Sequence, residues 1–241
     1  MPDYLIVPQW SSTRSIYRKL SKEMHVLTDA YRLEVNERTI LMMDHLILAI
    51  DEVDKAVDEL PTKVERDDIT LSILNFLLNS DEKLIHKLAS QSLSSKMLML
   101  KKIVIELEIT DRFHKAVSDI FDYTERKRHT QNETELIGMI MLEGKATAEL
   151  PLSIMKIEST HAFGQFFNNL CKLMGIADLV IDAKSDYISN YISIKPRFLF
   201  YIKLNWILVK EGSKLIWKFP ERIHFLVYCI KFSMVLLFAK D

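Results

Sequence analysis

Glycine and proline are scarce in this chain, with five of the former and six of the latter in 241 residues, so turn signals are few. Its two cysteines, Cys171 and Cys229, are too few for a disulfide framework and fit a reducing cytoplasm. No sign of charge dominates: 32 basic side chains against 33 acidic ones leave a net charge of −1, without the basic excess that nucleic acid as a main partner requires. Neither a Gly-rich phosphate loop nor a GxSxG elbow occurs. The first residues, MPDYLIVPQW, have no basic region ahead of an apolar core and so do not form a secretory signal. The stretch HFLVYCIKFSMVLLFA near the C-terminus is short for a spanning helix and carries His224 and Lys231. It reads as a buried helix, with peripheral membrane contact as the alternative.

What the chain has in quantity is apolar residues, 49% of the total, repeating at intervals of three and four. That is an all-α pattern. It predicts a single-domain helical bundle over residues 1–241, with helices at 11–34, 37–60, 66–78, 81–89, 92–124, 132–157, 159–188, 197–211 and 214–239. Pro8, Pro61, Pro196 and Pro220 fall at the boundaries. No internal repeat points to a solenoid, and no low-complexity linker divides the chain.

Two acidic stripes interrupt the apolar pattern. Asp44, Asp51, Asp54 and Asp58 fall within an arc of about 80° on one helix, and Asp178, Asp182 and Asp186 share a similar arc on another. Carboxylates one turn apart repel, which predicts a positive partner opposite them, and a hard divalent cation suits clustered oxygens. Asp44, two turns inward, reads as a core residue. Leu179, Val180 and Ile181 separate Asp178 from Asp182, where a solvated face would carry interspersed lysines.

Magnesium joins carboxylates to the phosphate oxygens of a substrate, so facing stripes predict a bed on which a diphosphate is held and its leaving charge neutralised. The cation left behind needs an apolar, electron-rich enclosure. Stepping back from Asp178 by threes and fours gives Met174, Cys171, Phe167 and Gly164 or Phe163, an apolar floor beneath an acidic mouth. Pro151 interrupts LEGKATAELPLSI, and its ring opposes the carbonyl of Thr147. Either one helix ends at Leu150 and another begins, or a kinked helix aims that carbonyl into a cavity.

At this point the residues acquire a resemblance. LAIDEVDKAVDELP resembles the first aspartate-rich helix of the class I isoprenoid synthases, above all the DxxxD form of squalene and phytoene synthases, with Asp54 and Asp58 as the pair and Asp51 in an overlapping register. ADLVIDAKSD is similar to the second metal motif, with Asp178, Asp182 and Asp186. The resemblance implies a helical bundle around a central cavity, three Mg2+ ions held at its mouth, and a kinked helix matching Gly144, Thr147 and Pro151. It further implies a diphosphate-sensing basic residue, for which Arg126, Lys127 and Arg128 are candidates, although the cluster ERKRH is also a normal solvated helix end. Lys55 stands where one register would have a second aspartate, no Asn-Ser-Glu triad replaces the second stripe, and Asn190 and Tyr191 stand where phytoene synthases have glycine and arginine.

The expectation is therefore a cytoplasmic, Mg2+-dependent class I terpene synthase acting on a prenyl diphosphate such as farnesyl or geranylgeranyl diphosphate. Asp51, Asp54, Asp58, Asp178, Asp182 and Asp186 bind metal, and Arg126 and Arg128 hold the diphosphate. Thr147, Phe163 and Phe167 act on the cation, and a homodimer is the default assembly. The alternatives are head-to-head prenyl coupling and a non-catalytic helical binding protein. A di-iron bundle is disfavoured, because Glu158 and His161 form a single ExxH pair.

Overall fold

The computed structural model describes residues 35–58, 60–78 and 90–220, together with Lys22, Val26, Thr28, Asp29 and Leu33. Among these residues there are seven helices and no strand. They are α1 (Glu37–Asp58), α2 (Lys63–Leu78), α3 (Gln91–Glu106), α4 (Thr110–Lys127), α5 (Glu133–Ile154), α6 (Ala162–Ile188) and α7 (Phe198–Lys218). The all-α expectation holds. The helices expected at 11–34 and 81–89 and the part of 214–239 beyond residue 220 lie outside the described residues.

The chain divides into two compact units. The first takes the described residues of Met1–Ser118 with Leu150–Glu158, and the second takes those of Asp119–Glu149 and Ser159–Asp241.

In the first unit α1 starts where Asn36 Oδ1 accepts the Thr39 amide at 2.9 Å, satisfying one of the orphan donors of the first turn. From Met42 to Ala49 it is buried on every side, as expected of a helix with little polar surface. It packs on α3, and an ion pair between Arg38 and Glu106 ties its first turn to the last turn of α3. A reciprocal cap opens α2: the Thr62 amide donates to Glu65 at 3.1 Å and the Glu65 amide to Thr62 Oγ1 at 3.2 Å. Buried Lys101 donates to the Phe76 carbonyl at 2.6 Å, supplying a positive charge to the C-terminal turn of α2.

The expected helix over 92–124 is two helices, α3 and α4. Glu108 takes a left-handed conformation (φ 59°), the Ile109 amide reaches back to Val104 and the Glu108 amide to Ile105, both at 3.1 Å. This is a Schellman stop. Lys156 (φ 55°) and Asn190 (φ 59°) end α5 and α6 with the same pair of backbone bonds. None of the three is glycine, the residue whose presence normally marks such a stop in sequence.

The second unit is built on α6. A Cβ on Gly144 of α5 would stand 2.6 Å from the Cys171 carbonyl oxygen and 3.0 Å from the Lys172 Cα, so the two backbones touch where only hydrogen fits. Gly175 makes the complementary approach, its would-be Cβ 3.0 Å from Ile140 Cγ2. Around this contact Leu136, Ile137 and Ile140 of α5, Ile176, Leu179 and Ala183 of α6, and Phe200 and Leu204 of α7 form a buried core. Ile192 and Ile194 of the connecting segment close it. The expected break between 211 and 214 is absent, since α7 continues through Gly212. α5 likewise contains Pro151 within its span, which settles the boundary question in favour of one helix.

Gly144→Ala should lower unfolding free energy by about 1–3 kcal/mol through this overlap, despite the better helix propensity of alanine. Gly138→Ala, with nothing within 4 Å of the added methyl, should raise it by up to about 1 kcal/mol. Glu108→Gly should stabilise by about 0.5–1 kcal/mol by relieving the left-handed backbone. Urea titration of the three variants checks all of these.

Candidate functional site

The first acidic stripe lies on α1 in the first unit, and its members differ sharply in environment. Asp51 is fully buried, with 0% of its surface exposed. Its Oδ2 accepts from Lys55 Nζ at 2.6 Å, and the same ammonium reaches Glu52 at 3.2 Å. Burial acts to lower the pKa of Lys55, but hydrogen bonds and charge from Asp51 and Glu52 outweigh it and hold the ammonium above its ordinary 10.5. The positive partner predicted opposite the stripe is therefore present for Asp51 in the chain itself. Asp44, also buried, is a core residue as expected, and Asp54 is half-buried. Asp58 is the last residue of α1, and its side chain lies outside the described set.

The second stripe lies on α6 in the second unit. His161 starts this helix by accepting the Phe163 amide on Nδ1 at 3.2 Å, and Glu158 pairs with Arg112 at 3.7 Å, so the ExxH pair is spent on a cap and an ion pair. Phe163 and Phe167 are buried and stack with ring centroids 5.6 Å apart and planes 7° from parallel. Phe166 meets Phe219 edge-on at 5.3 Å. Further along, Asp178 is exposed, and Asp182 and Asp186 are half-buried. One helix thus runs from a dry aromatic end to a wet acidic end.

The proposed diphosphate grips have separate fates. Arg126 is exposed, 3.4 Å from Asp122 and 3.9 Å from Glu135. Arg128 is buried, its guanidinium 4.6 Å above the Tyr191 ring and its carbonyl accepting from Ser193. That arrangement fastens the segment after α6 to the end of α4. Lys127 and Thr124 both bond Glu143 of α5, Thr124 at 2.7 Å. Thr147 is exposed on α5.

A cleft of about 200 Å³ lies among α5, α6 and α7. Met141, Leu173, Ile176 and Ile207 form its apolar part, and Lys172, Lys214, Lys218 and Glu211 its polar part. Burial, and then the charge of Lys145, push the Lys172 ammonium below its ordinary 10.5, with Glu211 opposing. Three lysines spread over two helices leave no local sequence pattern, whereas Lys214 and Lys218, one turn apart, are visible as a pair.

Among the described residues no three His, Cys, Asp or Glu side chains are gathered as a ready-made metal site. The donor chemistry of Asp182 and Asp186, hard oxygens one turn apart at a half-buried surface, nevertheless suits Mg2+, which takes one or two carboxylates and fills its shell from water and phosphate. Asp51, held by Lys55, is a poorer donor. No protein-family model, curated protein or solved structure matches the chain.

Two outcomes follow from the charges. Lys55→Met should destabilise by about 3 kcal/mol by leaving the Asp51 carboxylate buried beside one fewer cation, and a combined Asp51→Leu, Lys55→Met chain should recover much of the loss in thermal unfolding. Lys172, its folded pKa depressed, subtracts stability while it is protonated in the fold. Wild-type stability should therefore rise as pH climbs from the folded pKa toward 10.5, so the higher melting temperature expected of Lys172→Met at pH 7 should shrink over that window.

Proposed function

We propose that the chain is a Mg2+-dependent class I isoprenoid synthase that ionises a linear prenyl diphosphate and cyclises or rearranges the resulting cation. The observation that carries this reading is the polarity of α6, with stacked, buried Phe163 and Phe167 at one end and Asp178, Asp182 and Asp186 reaching solvent at the other. An amphipathic substrate with an anionic head and a hydrocarbon tail matches that order of surfaces.

In this reading Asp182 and Asp186 would hold the metal, with Asp178 as a further donor on the same helix, while Asp51 is a structural member of the first stripe. Magnesium, when bound with a diphosphate, neutralises the charge that develops on the departing oxygen. The carbon–oxygen bond breaks with its electron pair leaving on the diphosphate, and exposed Arg126 adds a cation for that group to meet. The faces of Phe163 and Phe167 are electron-rich and exclude water, which protects a cation from capture.

A second reading, a non-catalytic helical protein, is favoured by the Asp51–Lys55 pair, because a carboxylate neutralised inside the chain needs no metal. Purified protein incubated with farnesyl or geranylgeranyl diphosphate decides between them. The enzyme reading expects diphosphate release and a hydrocarbon or alcohol product that require Mg2+ and fall on the order of a hundredfold in Asp182→Ala. A cyclic product supports cyclisation, a doubled chain supports head-to-head coupling, and no release with either substrate supports the non-catalytic protein.

A further inference from the structure

α7 is apolar on two opposite faces. Phe200, Leu204 and Leu215 point into the core of the second unit. On the opposite side Leu199, Ile202, Trp206, Val209 and Trp217 fall within an arc of about 80°, and all are exposed. Phe198 borders them, and the aromatics are open to an unusual degree, with Phe198 at 78%, Trp206 at 68% and Trp217 at 86%. A row of large exposed side chains on one face marks a contact surface rather than scatter.

The charges beside this stripe define its partner. From Lys195 to Lys218 there are six basic residues and one acid, Glu211, in a chain whose net charge is −1. Lys203, Lys210 and Lys214 line one flank of the stripe, within about 40° of arc. Lys203 also reaches Glu133 at 3.3 Å and Lys214 reaches Glu211 at 2.7 Å, so the flank keeps a positive surplus after its local pairs. At the start of the helix Arg197 takes the N-cap position without a side-chain cap bond, and Lys195 precedes it, where the helix dipole favours an anion.

We propose that the outer face of α7 docks on an anionic lipid bilayer, lying in its surface plane. Tryptophan and phenylalanine rings favour the boundary between headgroups and acyl chains, and lysine stems reach along apolar surface to place their ammonium groups among phosphates. No helix among the described residues is long and apolar enough to cross a membrane, which matches a helix that rests on one. The inference does not rest on the enzymatic reading, although a lipid surface is also where hydrophobic prenyl compounds partition.

Flotation of the full chain with vesicles tests the proposal, comparing phosphatidylcholine alone with phosphatidylcholine containing about one quarter phosphatidylserine. The wild-type chain should float with the anionic vesicles and less so with the neutral ones, and should detach as salt is raised. Trp206→Ser combined with Trp217→Ser, both at exposed positions, should bind at least about tenfold more weakly with an unchanged circular dichroism spectrum. In a Trp10→Phe background, bromine-labelled acyl chains should quench the emission of Trp206 and Trp217. Equal flotation of the double variant, absence of flotation by the wild type, or absence of quenching would overturn the proposal. So would a wild-type dimer that the double variant no longer forms, because the stripe would then be a self-association surface.

Discussion

The contact between Gly144 and the backbone of Cys171 and Lys172 is the constraint from which the second unit is built. At 2.6 Å from a carbonyl oxygen there is no room for a methyl group, so the backbones of α5 and α6 meet directly at this position. Gly175 repeats the approach one turn further along α6, against Ile140. With α6 held there, its apolar residues meet those of α5 and α7 in a single buried cluster. The position of the aromatic pair and of the second acidic row follows from the same contact, because both are carried on that one helix.

Carboxylates of the two stripes differ in how far they are removed from water. Asp51 is removed from water and matched by Lys55, an arrangement in which desolvation is large and a cation is needed at all times. Asp182 and Asp186 are only half-buried, so their carboxylates keep part of their hydration. The same contrast separates Arg128, committed to the Tyr191 ring, from Arg126 at the surface.

Helix content and most helix positions were legible because apolar residues at three and four leave little choice of period. The stop after Glu106 was not, because Glu108 adopts the left-handed conformation without being glycine, and the bonds that hold it belong to the backbone. The expected break between 211 and 214 erred in the opposite sense: Gly212 lies inside α7, where a lone glycine lowers helix stability without ending the helix. Pro151 carried no unique meaning either, since a proline within a helix and a proline at a helix start have the same local sequence. As for the site, the two acidic stripes and the Phe163–Phe167 spacing could be read directly. The capture of Asp51 by Lys55 could have been, because a lysine four residues after an aspartate is a standard helix pair. The burial of Arg128 under Tyr191 and the lysines of the cleft depend on residues distant in sequence, and no local pattern announces them.

Native-state amide hydrogen exchange measured along α5 and α6 tests the central claim directly. If the Gly144 contact anchors the second unit, the amides near Gly144 and from Cys171 to Gly175 should exchange only through global unfolding, with the highest protection in that unit. Exchange of those amides through low-energy local opening, while other helices of the unit stay protected, would contradict it.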